Sequence, residues 1–541
     1  MTRRVWTAAL AVVAGLIIVS VWTGRTPLEH ELLTAVYSPS FTPVPPKASV
    51  ASTIVRIREN LASPAGHAFS LRLLPDQSAA LWLMLTVMLV VAADYSRVRA
   101  SRNLDLLLAF ALAVSFVDIL AFARLRLDAE YWTMLDGVFT VITLLNVALV
   151  ARALYRASRP EREEPAWRPH LRGRPLAALA LALVVANVAV VLVREPDDAG
   201  YFTNLGAQRF RERGRLPYGD PLLTGTPGAA YGPVLYAAHV PFQVLLEPHS
   251  PNASSPALPL MGADATYRLP PPIATKLTTL ALHLAGLFAL WVVGRRLSGT
   301  SDVGWALVAL YASSAFVLGV GGEREFIGGV TFISHIGPAA ATLVAFACLP
   351  SPAWAGAMLA VATGAGFYPA FMLPAWVGYF WRDRKGCQRL LAGFALSAAI
   401  IGGATLALSR PAHGQGRVAT ILSDTFGHHT DPKGYGQSPF GFWGQREGVR
   451  RWLSTPTVGT SGLTTPAYGL FFGLVGASFF MARGRSSARL ALLTAAIAFA
   501  ASTIKVHSTG TYVAWAYPFL LIGVAGERKE SGEGVGGAGP D

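Results

Sequence analysis

The chain has 541 residues, 52% of them hydrophobic and only 14% charged, where a soluble domain carries about 25% charged residues. Lys and Arg (45) outnumber Asp and Glu (31), for a net charge of +14. The charges gather in short clusters between long apolar runs, which argues against a soluble enzyme or a nucleic-acid-binding domain and predicts an all-α, polytopic membrane protein.

The first apolar run, 5–22, follows Thr2-Arg3-Arg4 and has no clear small-x-small cleavage site, so it reads as a retained span rather than a signal peptide. With the runs at 79–93, 104–123 and 134–154 it makes an N-terminal bundle of about four helices over residues 1–154. An Arg/Glu/Pro-rich linker, 155–174, follows. The second block, 175–525, has runs at 175–193, 273–293, 302–320, 332–349, 353–365, 367–381, 388–408, 465–482, 487–504 and 511–525. The expected total is about fourteen transmembrane helices, since backbone polar groups in lipid must bond within the segment. The runs at 79–93, 353–365 and 367–381 are short for a crossing, and the last two read as a shallow hairpin broken at Gly364-Ala365-Gly366 and Pro369.

The basic clusters at 2–4, 97–102, 152–174, 295–296, 382–385 and 483–489 all fall on one side with these spans. The positive-inside rule makes that side cytoplasmic, so both termini are expected in the cytoplasm, with a multi-pass position in the cytoplasmic (inner) membrane. The long loops 23–78, 194–272 and 409–464 then lie outside, and the Gly/Glu/Lys-rich tail, 526–541, reads as disordered cytoplasmic chain. Cys348 and Cys387 define neither a disulfide framework nor a metal-binding spacing.

The most informative stretch follows the run 175–193. Asp197 and Asp198 leave the membrane side by side, and 198–213 reads as an amphipathic surface helix stopped by Gly214 and Pro217. Such a pair can deprotonate a hydroxyl or hold a divalent metal (Mg or Mn), and Asp198 can equally cap the helix. Leu216-Pro217-Tyr218-Gly219-Asp220-Pro221 is turn-rich, and Tyr231-Gly232-Pro233 turns the chain back towards the membrane.

That order of a span, an acidic pair, a surface helix, Gly-x-x-Pro-Tyr-x-Asp and Tyr-Gly-Pro resembles the first extracytoplasmic loop of C-type (GT-C) glycosyltransferases. These include protein O-mannosyltransferases and the mannosyl- and arabinosyltransferases of bacterial envelopes. The matching positions are Asp197, Asp198, Tyr201, Gly214, Pro217, Tyr218, Asp220, Tyr231 and Pro233, and the resemblance is best over residues 175 to 381. It departs from the family in placing the acidic loop after the fifth span instead of the first.

The resemblance implies an inverting sugar transfer from a polyprenyl-phosphate donor to an envelope glycan, lipid or protein. Asp197 or Asp198 would be the base and the other its orienter or a metal ligand. Glu323 or Glu325 would supply the second acidic group that such enzymes bring from a later outer loop, unless they form a solvated turn. Lys505 and Arg209 are candidates for the departing phosphate, although snorkelling or contact with lipid headgroups explains them as well. Tyr218, Asp220 and Tyr231, together with Gln437 and Trp443 in the aromatic and amide cluster of 409–464, are candidates for the sugar or acceptor. His428 and His429 lack a zinc spacing.

Two other classes stay open at this point. A transporter or lipid flippase predicts polar groups deep in the spans and broken helices. A non-catalytic scaffold has no use for the acidic pair.

Overall fold

The computed structural model describes residues 77–95, 100–125, 128–159, 167–193, 196, 198–246, 257–259, 266–268, 273–321, 326–327, 329–412, 414–427, 464–505 and 510–526. The run 5–22, most of the loop 23–78 and all but the first residue of the tail 526–541 lie outside these residues.

The described chain is helical apart from two small antiparallel hairpins. The N-terminal block contains α1 (Gln77–Val87, continued by a π-turn over Met88–Ala92), α2 (Ser101–Leu125) and α3 (Asp128–Ser158). Next come α4 (Gly173–Val193), α5 (Asp198–Arg213) and α6 (Pro233–Leu246), then β1 (Ala257–Pro259) paired with β2 (Thr266–Arg268). α7 (Ile273–Ser298), α8 (Ser301–Ala312) and the single turn α9 (Ala315–Leu318) lead to β3 (Val320–Gly321) and β4 (Phe326–Ile327). The remainder is α10 (Ile333–Ala347), α11 (Pro352–Gly366), α12 (Leu373–Phe380), α13 (Arg384–Leu408), α14 (Arg417–Leu422), α15 (Thr464–Ala482), α16 (Ser487–Ile504) and α17 (Tyr517–Ala525).

Five stretches among the described residues are long and apolar enough to cross a membrane: Gly137–Ser158, Gly173–Leu192, Ile273–Ser298, Arg384–Leu408 and Ser487–Ile504. Their outward faces remain apolar. Val185, Phe288 and Leu396 are each 66% exposed and Leu470 is 77% exposed, which is stable against lipid and costly against water. The shorter apolar helices α8, α10 and α15 pack among the long ones. The run 302–320 is not one helix: it stops at Ala312, turns at Ser313 and Ser314, whose hydroxyls bond the carbonyls of Leu310 and Tyr311, and resumes as α9. The run 367–381 is also divided. α11 ends at Gly366, Phe367 takes φ +58°, and a 3-10 turn over Tyr368–Met372 precedes α12. A positive φ is unusual for a bulky side chain and marks a real discontinuity between α11 and α12.

One core cluster runs from Ala80 to Ala525. The N-terminal block is not a separate body, because α3 packs along α16 while α7 packs on α10 and α11 on α13. Buried polar contacts fix the join. Asp105, 1% exposed, accepts from Arg152 Nε at 2.9 Å and Arg156 NH1 at 2.5 Å, and Arg156 NH2 also donates to the Gly523 carbonyl at 3.1 Å. Further along α3, Asn146 Nδ2 donates to the Gly510 carbonyl at 3.1 Å. Two basic segments that the charge rule assigns to one side, 152–174 and 483–489, also meet. Arg485 donates to the carbonyls of Ser158 and Arg159, and Arg489 bonds to Arg159.

Candidate functional site

The site is built outward from the end of α4. α5 begins at Asp198 and ends at Arg213, with Gly214 at φ +61° and its amide bonded to the Phe210 carbonyl. This helix does more than lie on a surface. Thr203, Asn204, Leu205 and Ala207 are all buried, because α6 packs across it. Gln243 of α6 donates to the Asn204 carbonyl at 2.8 Å, and Arg211 donates to the Gln243 carbonyl at 3.0 Å. α6 is an apolar helix inside the loop 194–272, unforeseen in the sequence. At 14 residues, interrupted by Pro241, it is too short to cross a bilayer alone.

His239 of α6 is fully buried against α5. A carbonyl can only accept, so the 2.7 Å contact with the Leu235 carbonyl makes Nδ1 the protonated nitrogen; Nε2 stands 3.4 Å from Thr203 Oγ1. Burial pushes its pKa down to about 4, opposed only in part by the Leu235 bond, so the ring is neutral at pH 7.

The segment after α5 is sewn into a platform. Tyr218 OH donates to the Tyr231 carbonyl at 2.6 Å, the Tyr231 amide donates to Tyr236 OH at 3.1 Å, and Tyr236 OH donates to the Gly228 carbonyl at 2.9 Å. Desolvation raises the Tyr218 pKa well above the usual tyrosine value, with Tyr236 and Asp424 adding to the effect, so it is a neutral donor. Asp220 accepts the Leu222 amide at 2.9 Å and pairs with Arg213 at 3.2 Å.

The far end of the chain locks the platform from below. Leu216 N bonds the Leu408 carbonyl, and Arg410 N bonds the Tyr218 carbonyl. Asp424, 2% exposed, accepts from Gly219 N at 2.8 Å, Thr224 Oγ1 at 2.6 Å and Gly225 N at 2.9 Å. Gly219 has φ +71°, and a Cβ there would collide with the Arg410 carbonyl. Three donors converge on one carboxylate, which makes Asp424 a structural clasp and leaves it poorly placed to serve as a metal ligand or base.

Beside the start of α5 lies a narrow crevice with no room for a water molecule, lined by Val191, Pro196, Thr275, Lys276, Thr279 and Thr331. Thr275 Oγ1 donates to the Gly200 carbonyl at 3.2 Å and Lys276 Nζ to the Leu192 carbonyl at 3.1 Å, tying α7 to both helices. Thr279 and Thr331 are 1% and 3% exposed, and their hydroxyls bond to no protein group. One turn further along α7, the buried His283 has an unbonded Nε2. Polar atoms buried without partners cost stability.

Among the residues nominated by sequence, Asp198 opens α5 with Pro196 in the recess lining. The side chain of Asp198, and Asp197, Glu323, Glu325, Gln437 and Trp443, lie outside the described residues, as do His428 and His429. Tyr218, Asp220 and Tyr231 do come together; Tyr218 is fully buried and Asp220 is 5% exposed, both bonded within the platform. Arg209 lies 4.0 Å from Glu212. Lys505 bonds Tyr512 OH and sits 3.7 Å from the centre of that ring. The Tyr512 ring packs at 4.3 Å on His335, while Trp515 stacks at 4.0 Å on Tyr368. Lys505 therefore belongs to an aromatic cluster spanning α10, the 3-10 turn and the 510–515 segment.

No group of three or more His, Cys, Asp or Glu side chains that could hold a metal occurs among the described residues. The sequence reading overlooked Thr275, Lys276, Thr279 and Thr331, because threonines inside apolar runs look like ordinary helix filler. No protein-family model, no curated protein and no solved structure matches the chain.

Proposed function

We propose that the chain is a multi-spanning glycosyltransferase of the C-type architecture, moving a sugar from a polyprenyl-phosphate donor to an envelope glycan, lipid or protein on the outer face of the cytoplasmic membrane. One observation carries the reading: the helix headed by Asp198 starts at a recess next to apolar membrane helices, and that recess holds two buried hydroxyls, Thr279 and Thr331, with no protein partner. Seating the charged headgroup of a donor beside these hydroxyl and ammonium donors would require the crevice to widen.

In this mechanism Asp197 or Asp198 removes the proton from the acceptor hydroxyl as its oxygen attacks the anomeric carbon. The bond from that carbon to the phosphate oxygen breaks, and the phosphate leaves with the electron pair. Thr279, Thr331 and Lys276 then donate to the departing oxygens, whose charge grows along the reaction path. Attack opposite the leaving group gives inversion. A divalent metal, if the enzyme uses one, would be held by Asp197 and Asp198.

The test is sugar transfer in membranes carrying Asp197→Asn, Asp198→Asn or both, with a panel of polyprenyl-phosphate sugars. Transfer should fall at least about a hundredfold in one of the single variants. Full activity in both would overturn the mechanism. The unbonded Nε2 of His283 within a candidate span and the break at Phe367 favour a second reading, translocation of a lipid-borne sugar. Movement of donor across proteoliposomes without any change in its glycosidic bond would select that reading.

A further inference from the structure

A second polar feature lies far from the recess in the chain, where α12 gives way to α13 and α15 to α16. Arg483 follows α15, and its guanidinium carbon sits 4.7 Å from the ring centres of Trp381 and Phe479 and 5.3 Å from that of Phe480. The Arg483 Nε is buried and bonds to nothing. The Arg382 guanidinium packs over the backbone of Gly484, about where a Cβ would be. Arg384, Lys385 and Arg389 are exposed on the first turns of α13. The nearby carboxylate, Asp383, is committed as the helix cap, accepting the Gly386 amide at 3.0 Å. No ion pair among the described residues neutralises Arg382, Arg384, Lys385 or Arg483.

Two exposed rings stand next to this uncompensated charge: Trp381 at 48% and Phe480 at 66%. Apolar faces of α13 and α15 continue away from it, with Leu396 and Leu470 outward. A guanidinium pair, an aromatic collar and an adjoining lipid-facing wall make an amphipathic surface that matches a ligand with an anionic head and acyl chains.

We propose that this edge binds the headgroup of an anionic phospholipid, with the phosphate between Arg382 and Arg483 and the acyl chains running past Trp381 and Phe480. A zwitterionic lipid fits worse because its own ammonium group meets a cluster in which Arg382, Arg384, Lys385 and Arg483 outnumber the one carboxylate, Asp383. The site is independent of the proposed sugar transfer, and either can fail without the other.

The experiment follows thermal unfolding of the full-length chain in neutral detergent during titration with short-chain phosphatidylglycerol, short-chain phosphatidylcholine or inorganic phosphate. Phosphatidylglycerol should raise the midpoint saturably, and the other two should leave it unchanged. In R382Q/R483Q the half-saturating phosphatidylglycerol concentration should rise about tenfold or more, while Arg174→Gln, exposed at the start of α4, titrates like the wild type. Should the double variant fail to fold, R382Q alone removes an exposed side chain and should weaken binding roughly threefold or more. Equal shifts with phosphatidylcholine, the same shift from inorganic phosphate, or unaltered affinity in the folded variants would overturn the proposal.

Discussion

Asp424 and Gly219, 205 positions apart, meet at 2.8 Å, and this bond with its two neighbours holds the platform together. The carboxylate adds to the bonds within the segment itself, and Gly219 N, Thr224 Oγ1 and Gly225 N all donate to it. Asp424→Ala leaves three donors buried in a site that water enters poorly. We expect a loss of about 2–4 kcal/mol, read as a lower unfolding midpoint, with earlier proteolytic cutting within 214–232. Asp424→Asn should not restore the wild-type midpoint, because its amide turns a donor towards a donor.

Thr279→Val with Thr331→Val separates a ligand site from a packing defect. Valine matches threonine in shape, and neither hydroxyl bonds to protein. Stability should stay level or rise by about 1 kcal/mol, since an unmet buried polar group is removed. Sugar transfer should fall, with KM for the polyprenyl donor rising most. Unchanged transfer at full stability would free the recess of any part in donor binding.

His239 predicts a pH dependence. Its folded pKa, about 4, lies below the usual 6.5, so the unfolded chain takes up the proton more readily. The stabilisation from keeping the ring neutral is complete above pH 6.5 and is lost as pH falls towards 4, on the order of 3 kcal/mol across that window. Unfolding midpoints at pH 7 and pH 5 should differ less in His239→Gln than in the wild type.

Asp105 neutralises two guanidinium groups at the join between α3 and the last helices. Asp105→Asn should cost about 1–3 kcal/mol, since it removes the carboxylate charge while Arg152 keeps Ser101 and Arg156 keeps Gly523 as partners. Replacing Arg152 alone should cost less, since Arg156 still holds the carboxylate and also bonds Gly523. A larger loss from Arg152→Gln than from Asp105→Asn would refute this ordering.

The helical, membrane-protein character was legible, but not the expected count of about fourteen spans: five stretches among the described residues are long and apolar enough to cross. The apolar run at 175–193 became α4 (Gly173–Val193), and the surface helix starts at Asp198 and stops before Gly214 as its signals indicate. Local punctuation sets such boundaries, and it is written in adjacent residues. The break near Phe367 was marked by the glycines and Pro369 around it. The clasp was not legible, because nothing near Asp424 in sequence points to Gly219. Nor were the recess threonines: Thr278 and Thr342 bond back to their own helices, while Thr279 and Thr331 do not, and residue type alone cannot separate the two cases. Tyr218 and Asp220 looked like ligands because loop aromatics and carboxylates often are. The burial of Tyr218 comes with partners later in the chain, Tyr231 and Arg410, whereas Asp220 is bonded locally to Arg213 and Leu222.

The Asn146–Gly510 bond has a consequence for biosynthesis. α3 leaves the ribosome long before α16 exists, so one flank of it must wait in the bilayer without its permanent neighbour. Only when the final helices emerge can Gly510 seat against Asn146 and bring Lys505 and Tyr512 into register. A chain stalled before Gly510 is made would leave Asn146 without that partner.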